Sequence, residues 1–153
     1  MPRISSIELL KTPPQPVLSI RTRSPVDKLP MIISQGYGKI AAYLTQLGEY
    51  PSSMPFVAYH NMDMADLSIE LGFPIAAPLP DSDDIRFTLF PGGLRVFCMY
   101  QGAYSDLEPV YVELTEWIAA KGFTPVGPSY EYYYNGPDCP ESQLLTQIVM
   151  PVR

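Results

Sequence analysis

The spacing of hydrophobic residues predicts two helices. Apolar side chains recur at steps of three or four positions in two segments, as on the buried face of a helix. They are Ile33, Tyr37, Ile40, Leu44 and Leu47 in the first segment and Leu107, Val110, Leu114, Trp117 and Ile118 in the second. Gly48 and Gly122 follow the two stripes and are expected to end the helices. Ser105 and Glu108 have the spacing of a capping box before the second helix.

Segments rich in β-branched, aromatic or alternating apolar residues predict the strands. They lie at 17–23, 56–60, 67–71, 94–101, 130–134 and 144–150. The predicted order is therefore β-α-β-β, a connection, and β-α-β-β again. The connection, at about 76–90, contains several prolines and aspartates and is expected to be a surface linker.

The two halves of the chain align with each other. From the helix through the next strand the offset is 74 residues, which pairs Tyr37 with Tyr111. After the following turn the offset is 77 residues, which pairs Phe73 with Met150. A repeat at this spacing indicates a duplicated structural unit.

We therefore predict a single α+β domain over residues 1–153. Repeat one covers about 17–75, the linker about 76–90, and repeat two about 91–152. Each half would be marginally stable alone. The expected architecture is a duplicated β-α-β-β repeat that forms an antiparallel sheet with two helices on one face. A ligand cleft is expected between the pseudo-twofold halves.

Composition excludes several classes of function. The chain has 10 basic and 16 acidic residues, a formal net charge of −6, and no cluster of basic residues that would favour direct nucleic-acid binding. No apolar stretch approaches the roughly 20 residues of a membrane-spanning helix, and no signal peptide is evident. The 18 prolines accompany 46% apolar residues, which favours a packed, loop-rich domain over disorder. We expect a soluble, cytoplasmic protein that does not bind membranes.

The strand at 130–134 carries the candidate chemistry. Alternation places Glu131 and Tyr133 on one face of this strand, and the neighbouring tyrosines on the other. Because an unpaired charge is costly beneath a helix, we expect Glu131 and Tyr133 to face the cleft, away from the helices. A carboxylate among aromatic rings suits a cationic ligand with an apolar body.

Other residues are weaker candidates. Tyr104, before the second helix, and Tyr37, within the first, could line a ligand site or simply pack helix against sheet. Trp117, Tyr59 and Glu70 are lower-ranked lining residues, with Trp117 expected mainly in the core and Glu70 mainly in solvent.

Metal and cofactor chemistry finds little support in the sequence. His60 is the single histidine, and Cys98 and Cys139 are the two cysteines, too few for a typical metal centre or a disulfide framework. Phosphate-binding loops, dinucleotide fingerprints and nucleophile elbows are absent. We expect neither a metal nor a cofactor.

Four short motifs resemble those of the GyrI-like small-molecule-binding domains, which also serve as effector-binding domains of drug-responsive transcription regulators. They are ELGFP at 70–74, GAYSDL at 102–107, GPSYEYY at 127–133 and TQIVMPV at 146–152. The resemblance extends from about Val17 to Val152. It implies an SHS2-type duplicated fold whose cleft takes flat, apolar and often cationic ligands. It also implies that Glu131 lies in that cleft as the charge partner.

The resemblance leaves three functions open. The first is a stand-alone protein that captures an apolar or cationic small molecule. The second is a hydrolase of strained, cyclopropane-bearing electrophiles, as in some members of the family, with Glu131 as general base if burial raises its pKa. The third is a modulator of a separate protein partner, such as a gyrase inhibitor. Because about sixteen residues precede the first predicted strand, a transcriptional role would require a separate DNA-binding partner.

Overall fold

A computed structural model describes residues 3–136 and 138–153. Its helices are α1 (Leu29–Leu47) and α2 (Glu108–Ala120). The strands are β1 (Glu8–Thr12), β2 (Gln15–Ser24), β3 (Phe56–Tyr59), β4 (Leu67–Pro74), β5 (Arg86–Phe90), β6 (Gly93–Gln101), β7 (Ser129–Tyr133) and β8 (Leu145–Val152). The predicted succession β-α-β-β is confirmed as β2-α1-β3-β4 and again as β6-α2-β7-β8.

The chain forms two compact units, and each contains one of these repeats. The N-terminal unit is Pro14–Pro91, and its strands lie in the order β3-β4-β2-β5. The C-terminal unit consists of residues 3–13 and 92–153, and its strands lie in the order β1-β6-β8-β7. Neighbouring strands within each unit are antiparallel. The α+β, antiparallel architecture predicted from the sequence is confirmed.

Two strands, β1 and β5, are absent from the sequence prediction. β1 pairs with β6, and β5 pairs with β2, so each adds an outer strand to one unit. β5 occupies the end of the segment predicted as a linker at 76–90. Both strands have five residues, most of them partly or fully exposed. A short strand with water on both faces carries little hydrophobic alternation, which explains why the pattern did not reveal it.

One helix packs against the sheet of each unit. In the N-terminal unit, Gly36 lets α1 approach β4, because a Cβ at this position would lie 2.4 Å from Cδ1 of Leu71. In the C-terminal unit, a buried cluster joins α2 to the central strands. Its members are Val96, Cys98, Tyr100, Leu107, Val110, Leu114, Ile118, Ile148 and Val152. The predicted apolar stripe of the second helix is thus its buried face.

The helix ends are partly as predicted. Gly48 follows α1 in the left-handed conformation with a φ of 70°, and Gly122 has a φ of 82° just after α2. The predicted capping box is wrong: Leu107 occupies the N-cap position of α2, without a side-chain hydrogen bond. Pro109 in the first turn lacks an N–H group, so one fewer donor requires a cap. A 3-10 turn at Tyr104–Asp106 leads into the helix instead.

In the part of the chain that the structure describes, no helix has the length and apolar character needed to cross a membrane.

Candidate functional site

Glu131 is a buried carboxylate on the face of β7 that α2 covers. The residue is 6% exposed, and its cross-strand partner Ile148 belongs to the core beneath α2. The hydroxyl of Tyr111, on α2, donates a hydrogen bond to Oε2 at 2.5 Å, and the hydroxyl of Tyr133 donates to Oε1 at 2.9 Å. The expectation that Glu131 faces away from the helices is therefore wrong. The expectation assumed that the carboxylate would have no hydrogen-bond donors beneath the helix. In the structure, the two tyrosine hydroxyls donate to it and offset part of the cost of burial.

Burial also controls the ionisation of this group. Removal from water raises the pKa of Glu131, and the hydrogen bonds from Tyr111 and Tyr133 oppose that shift without cancelling it. The carboxyl group is therefore held closer to neutrality than an exposed glutamate. A positive charge placed beside it would favour the ionised form, so proton and cation are expected to compete for this position.

The neighbouring tyrosines of β7 point to the opposite face of the sheet, as strand alternation requires. The guanidinium carbon of Arg95 lies 5.0 Å from the centre of the Tyr130 ring. Burial raises the pKa of Tyr132 to about 12, although nearby Arg95 opposes the shift. The division of the β7 side chains between the two faces of the sheet was predicted correctly. The prediction was wrong about which face lies under the helix, because Glu131 and Tyr133 are on that face.

Tyr104 connects this carboxylate with the protein surface. The residue is 46% exposed, and its ring meets that of Tyr133 edge to face, with 5.3 Å between centroids. Partial burial and the nearby charge of Glu131 both raise the pKa of Tyr104. Three of the predicted residues, Glu131, Tyr133 and Tyr104, therefore lie together in one unit, in a series that runs from buried to exposed.

The motif that contains Tyr104 has a clear structural reason for its glycine. Gly102 has a φ of 146°, and a Cβ there would lie 2.7 Å from the hydroxyl oxygen of Tyr100. That hydroxyl donates to the carbonyl oxygen of Ala103 at 2.5 Å. The N–H of Gly102 donates to the carbonyl of Leu144 at 2.9 Å. These contacts fix the backbone just before Tyr104.

Tyr111 is the site residue that sequence reasoning missed. It contacts Glu131 across 20 residues of sequence, so the contact depends on the fold. A usable signal was its alignment with Tyr37. In the N-terminal unit, Tyr37 instead donates to the carbonyl oxygen of Phe56 at 2.8 Å. The position aligned with Glu131 is Val57, so the carboxylate belongs to the C-terminal repeat alone.

Tyr111 also borders a shallow surface depression on α2. The depression is lined by Glu108, Tyr111, Val112, Thr115 and Glu116. Its exposed lining is almost entirely apolar, and Tyr111 connects it to the buried Glu131.

Glu70 is buried rather than solvated, contrary to expectation. It is 5% exposed, and the hydroxyl of Ser19 donates to its Oε2 at 2.6 Å. Nε2 of His60 lies 3.4 Å from its Oε1. Because the adjacent Leu71 contacts α1, Glu70 points to the opposite face of its sheet. These contacts account for its burial within the N-terminal unit, and a part in ligand binding stays a prediction.

The remaining candidates occupy packing positions. Trp117 lies partly buried against the core under α2, and the Nζ of Lys121 lies 5.6 Å from its ring centre. Tyr59 is half-buried opposite Ile69 on β4. The ring of Tyr37 contacts that of Phe73 at 5.3 Å. Contact of Trp117, Tyr59 and Tyr37 with a ligand stays a prediction.

Across residues 3–136 and 138–153, no three histidine, cysteine, aspartate or glutamate side chains come close enough together to hold a metal ion.

The fold defines a duplicated α+β domain, and its site pairs a buried carboxylate with tyrosines. The sequence model of the GyrI-like small molecule binding domain matches residues 5–153. The chain belongs to this family, and the resemblance found in the motifs is confirmed.

Solved structures share the fold at low sequence identity. The crystal structure of the EcmrR C-terminal domain matches with a TM-score of 0.81 and 19% identity, covering 98% of each chain. In the EcmrR–DNA complex the TM-score is 0.84 at 19% identity, with 98% of this chain matching 58% of that chain. This chain thus spans little more than half the length of that EcmrR chain. At such identities the likeness shows the fold alone.

Two further structures illustrate the range of this fold. A hydrolase from Listeria innocua matches with a TM-score of 0.74 and 14% identity over 97% of this chain and 92% of that chain. SAV2435, bound to tetraphenylphosphonium, matches with a TM-score of 0.64 and 15% identity over 97% of this chain and 94% of that chain. No curated protein sequence matches significantly.

Proposed function

We propose that this protein captures an apolar, cationic small molecule at the site around Glu131. The observation that carries the proposal is a buried carboxylate that accepts hydrogen bonds from Tyr111 and Tyr133. In the described part of the chain, no ion pair joins Glu131 to a basic side chain. Hydroxyl groups solvate a carboxylate but do not neutralise it, so a ligand cation would supply the missing charge.

The aromatic side chains favour an apolar body around that charge. Tyr104 and Tyr133 meet edge to face, and Tyr111 reaches Glu131 from α2. A cation over a tyrosine ring gains about 0.5–2 kcal/mol, depending on its desolvation. The net charge of −6 adds a weak, general attraction for cations. The fold also accommodates a cation of this kind in SAV2435, which makes aryl phosphonium compounds suitable probes.

The proposal is tested with two probes of nearly equal shape. Methyltriphenylphosphonium carries a positive charge, whereas triphenylphosphine oxide is neutral. Isothermal titration calorimetry should give at least about tenfold tighter binding of the cation, the equivalent of about 1.4 kcal/mol. Equal affinities for the two compounds would contradict a site that recognises charge.

A hydrolase is the second candidate, because burial raises the pKa of Glu131 toward the range of a general base. Glu131 would take a proton from a water molecule as the water oxygen bonds to a carbon of a strained ring. The ring bond would break, and its electron pair would be protonated from solvent. Mass spectrometry of cyclopropane-bearing electrophiles incubated with catalytic amounts of protein is the test. Product below one equivalent per protein would remove this candidate.

A cytoplasmic location and action on a separate protein partner stay predictions. The EcmrR chain in the DNA complex extends beyond the part that this chain matches. Whether this chain takes part in transcription has to be tested by measuring its binding to DNA directly.

A further inference from the structure

Thr146, on β8, carries a buried hydroxyl group without a hydrogen-bond partner in the described part of the chain. Its side chain is 0% exposed. Folded proteins pair nearly all buried polar side-chain atoms, because an unpaired one forfeits its hydration without compensation. Valine has the same shape as threonine and would fill this position without that cost. The hydroxyl therefore calls for an explanation beyond packing.

The strand register places Thr146 beside the candidate site. It lies directly opposite Tyr133 on β7 and opposite Tyr100 on β6. Residues opposite each other in an antiparallel sheet share a face, so Thr146 lies on the face that α2 covers. Both neighbouring tyrosines donate their hydroxyl protons elsewhere, Tyr133 to Glu131 and Tyr100 to the carbonyl of Ala103.

Glu131 and Thr146 are diagonal neighbours across the two strands, because Glu131 pairs with Ile148. Diagonal neighbours lie roughly 7–8 Å apart at their Cα atoms, and their side chains can come closer. Two hydrogen bonds of about 2.9 Å that meet at one nitrogen atom can span the gap between two such side chains. An ammonium group with two N–H bonds could therefore donate to both oxygens.

We propose that Thr146 is a ligand contact and that the site selects cations carrying at least two N–H groups over fully substituted cations. One N–H would donate to the Glu131 carboxylate and the other to the Thr146 hydroxyl oxygen. This inference rests on the proposed function and narrows its ligand class to primary and secondary ammonium, amidinium or guanidinium compounds. A quaternary cation would satisfy Glu131 but leave the threonine hydroxyl unpaired.

The test compares two cations with the same aromatic body. (Biphenyl-4-ylmethyl)methylammonium has two N–H bonds, and (biphenyl-4-ylmethyl)trimethylammonium has none. Calorimetric titrations use the wild type, Thr146→Val, which removes the hydroxyl, and Thr146→Ser, which retains it. Thermal unfolding of each variant accompanies the titrations. Thr146→Val should unfold at the same or a higher temperature, since it removes an unpaired polar atom.

We expect the wild type to bind the methylammonium compound at least about tenfold more tightly than the trimethylammonium compound. Thr146→Val should abolish most of this preference while leaving the trimethylammonium affinity unchanged, and Thr146→Ser should keep it. An unchanged preference in Thr146→Val would overturn the inference. If Glu131→Gln still weakens trimethylammonium binding in that case, the proposed function stands without the role of Thr146. Binding of neither cation would count against both.

Discussion

Glu131→Gln removes one negative charge and leaves the shape of the side chain almost unchanged. The hydroxyls of Tyr111 and Tyr133, at 2.5 and 2.9 Å from the carboxylate, can turn to satisfy an amide. Two unit charges 4 Å apart at an effective dielectric constant of 20 attract by about 4 kcal/mol. The cost of desolvating the cation on binding offsets part of this attraction. A net loss of about 2 kcal/mol, or roughly 30-fold in affinity, is the expected result.

The assay is calorimetric titration of methyltriphenylphosphonium and triphenylphosphine oxide at about pH 8, where the carboxylate is most ionised. Glu70→Gln is the matched control, because Glu70 is a carboxylate of similar burial, 5% exposed against 6% for Glu131. Glu131→Gln should reduce the affinity for the cation about 30-fold and should hardly change the affinity for the neutral oxide. Glu70→Gln should leave both affinities near the wild-type values.

Two results would count against recognition of the cation by the charge of Glu131. Cation affinity within about twofold of the wild type in Glu131→Gln would show that the charge of this residue is not the recognition element. An equal loss in Glu70→Gln would show that the effect is not specific to Glu131, whether it arises from contact of Glu70 with the ligand, from stability or from net charge.

The remaining predictions concern ionisation and backbone packing. Burial raises the pKa of Glu131 above its ordinary value of 4.5, so the folded protein binds this proton more tightly than the unfolded chain does. The stability gained from this proton is complete below about pH 4.5 and is lost as the pH rises through the raised pKa. The unfolding temperature of Glu131→Gln should therefore rise relative to that of the wild type as the pH increases from about 4. A difference in unfolding temperature that does not change with pH would contradict this prediction. Tyr111→Phe removes a hydrogen bond that lowers the pKa of Glu131. When cation affinity is measured as a function of pH, the midpoint of the curve should therefore move to higher pH in this variant. An unchanged midpoint would exclude this role for the hydroxyl. Gly72→Ala places a Cβ 2.0 Å from the carbonyl oxygen of Leu18 and should lower the free energy of unfolding, measured in urea, by at least about 3 kcal/mol. Gly38→Ala, with open space around it, should leave that free energy unchanged or raise it. Similar losses in the two variants would count against the close packing of Gly72.

The regular elements with one buried face were predictable from the sequence. The stripes of α1 and α2 and the apolar centres of β2, β4, β6 and β8 are long enough for their hydrophobic period to stand out. β1 and β5 were not predictable, because short outer strands are specified by backbone pairing with β6 and β2 rather than by a hydrophobic pattern. The start of α2 was misread because Ser105 and Glu108 satisfy a capping pattern that the backbone around Pro109 does not use.

The candidate site shows a similar division. Motif and alternation together selected Glu131, Tyr133 and Tyr104, which the fold brings together. The orientation of Glu131 was wrong because its pairing with Tyr111 arises from tertiary structure. The cost of burying a carboxylate cannot be judged before its hydrogen-bond donors are known. The burial of Glu70 was missed for the same reason, since its donor Ser19 lies 51 residues away.

The most direct test of cation binding at Glu131 is a crystal structure of the protein with methyltriphenylphosphonium. We expect the phosphorus atom within about 6 Å of the Glu131 carboxylate and of a tyrosine ring, a distance at which both ion pairing and cation–π attraction act. Tyr104 should contact the ligand, and the hydroxyl bonds from Tyr111 or Tyr133 should be retained or exchanged for ligand contacts. A well-ordered cation bound elsewhere, with the surroundings of Glu131 unchanged, would exclude Glu131 as the charge partner of the ligand.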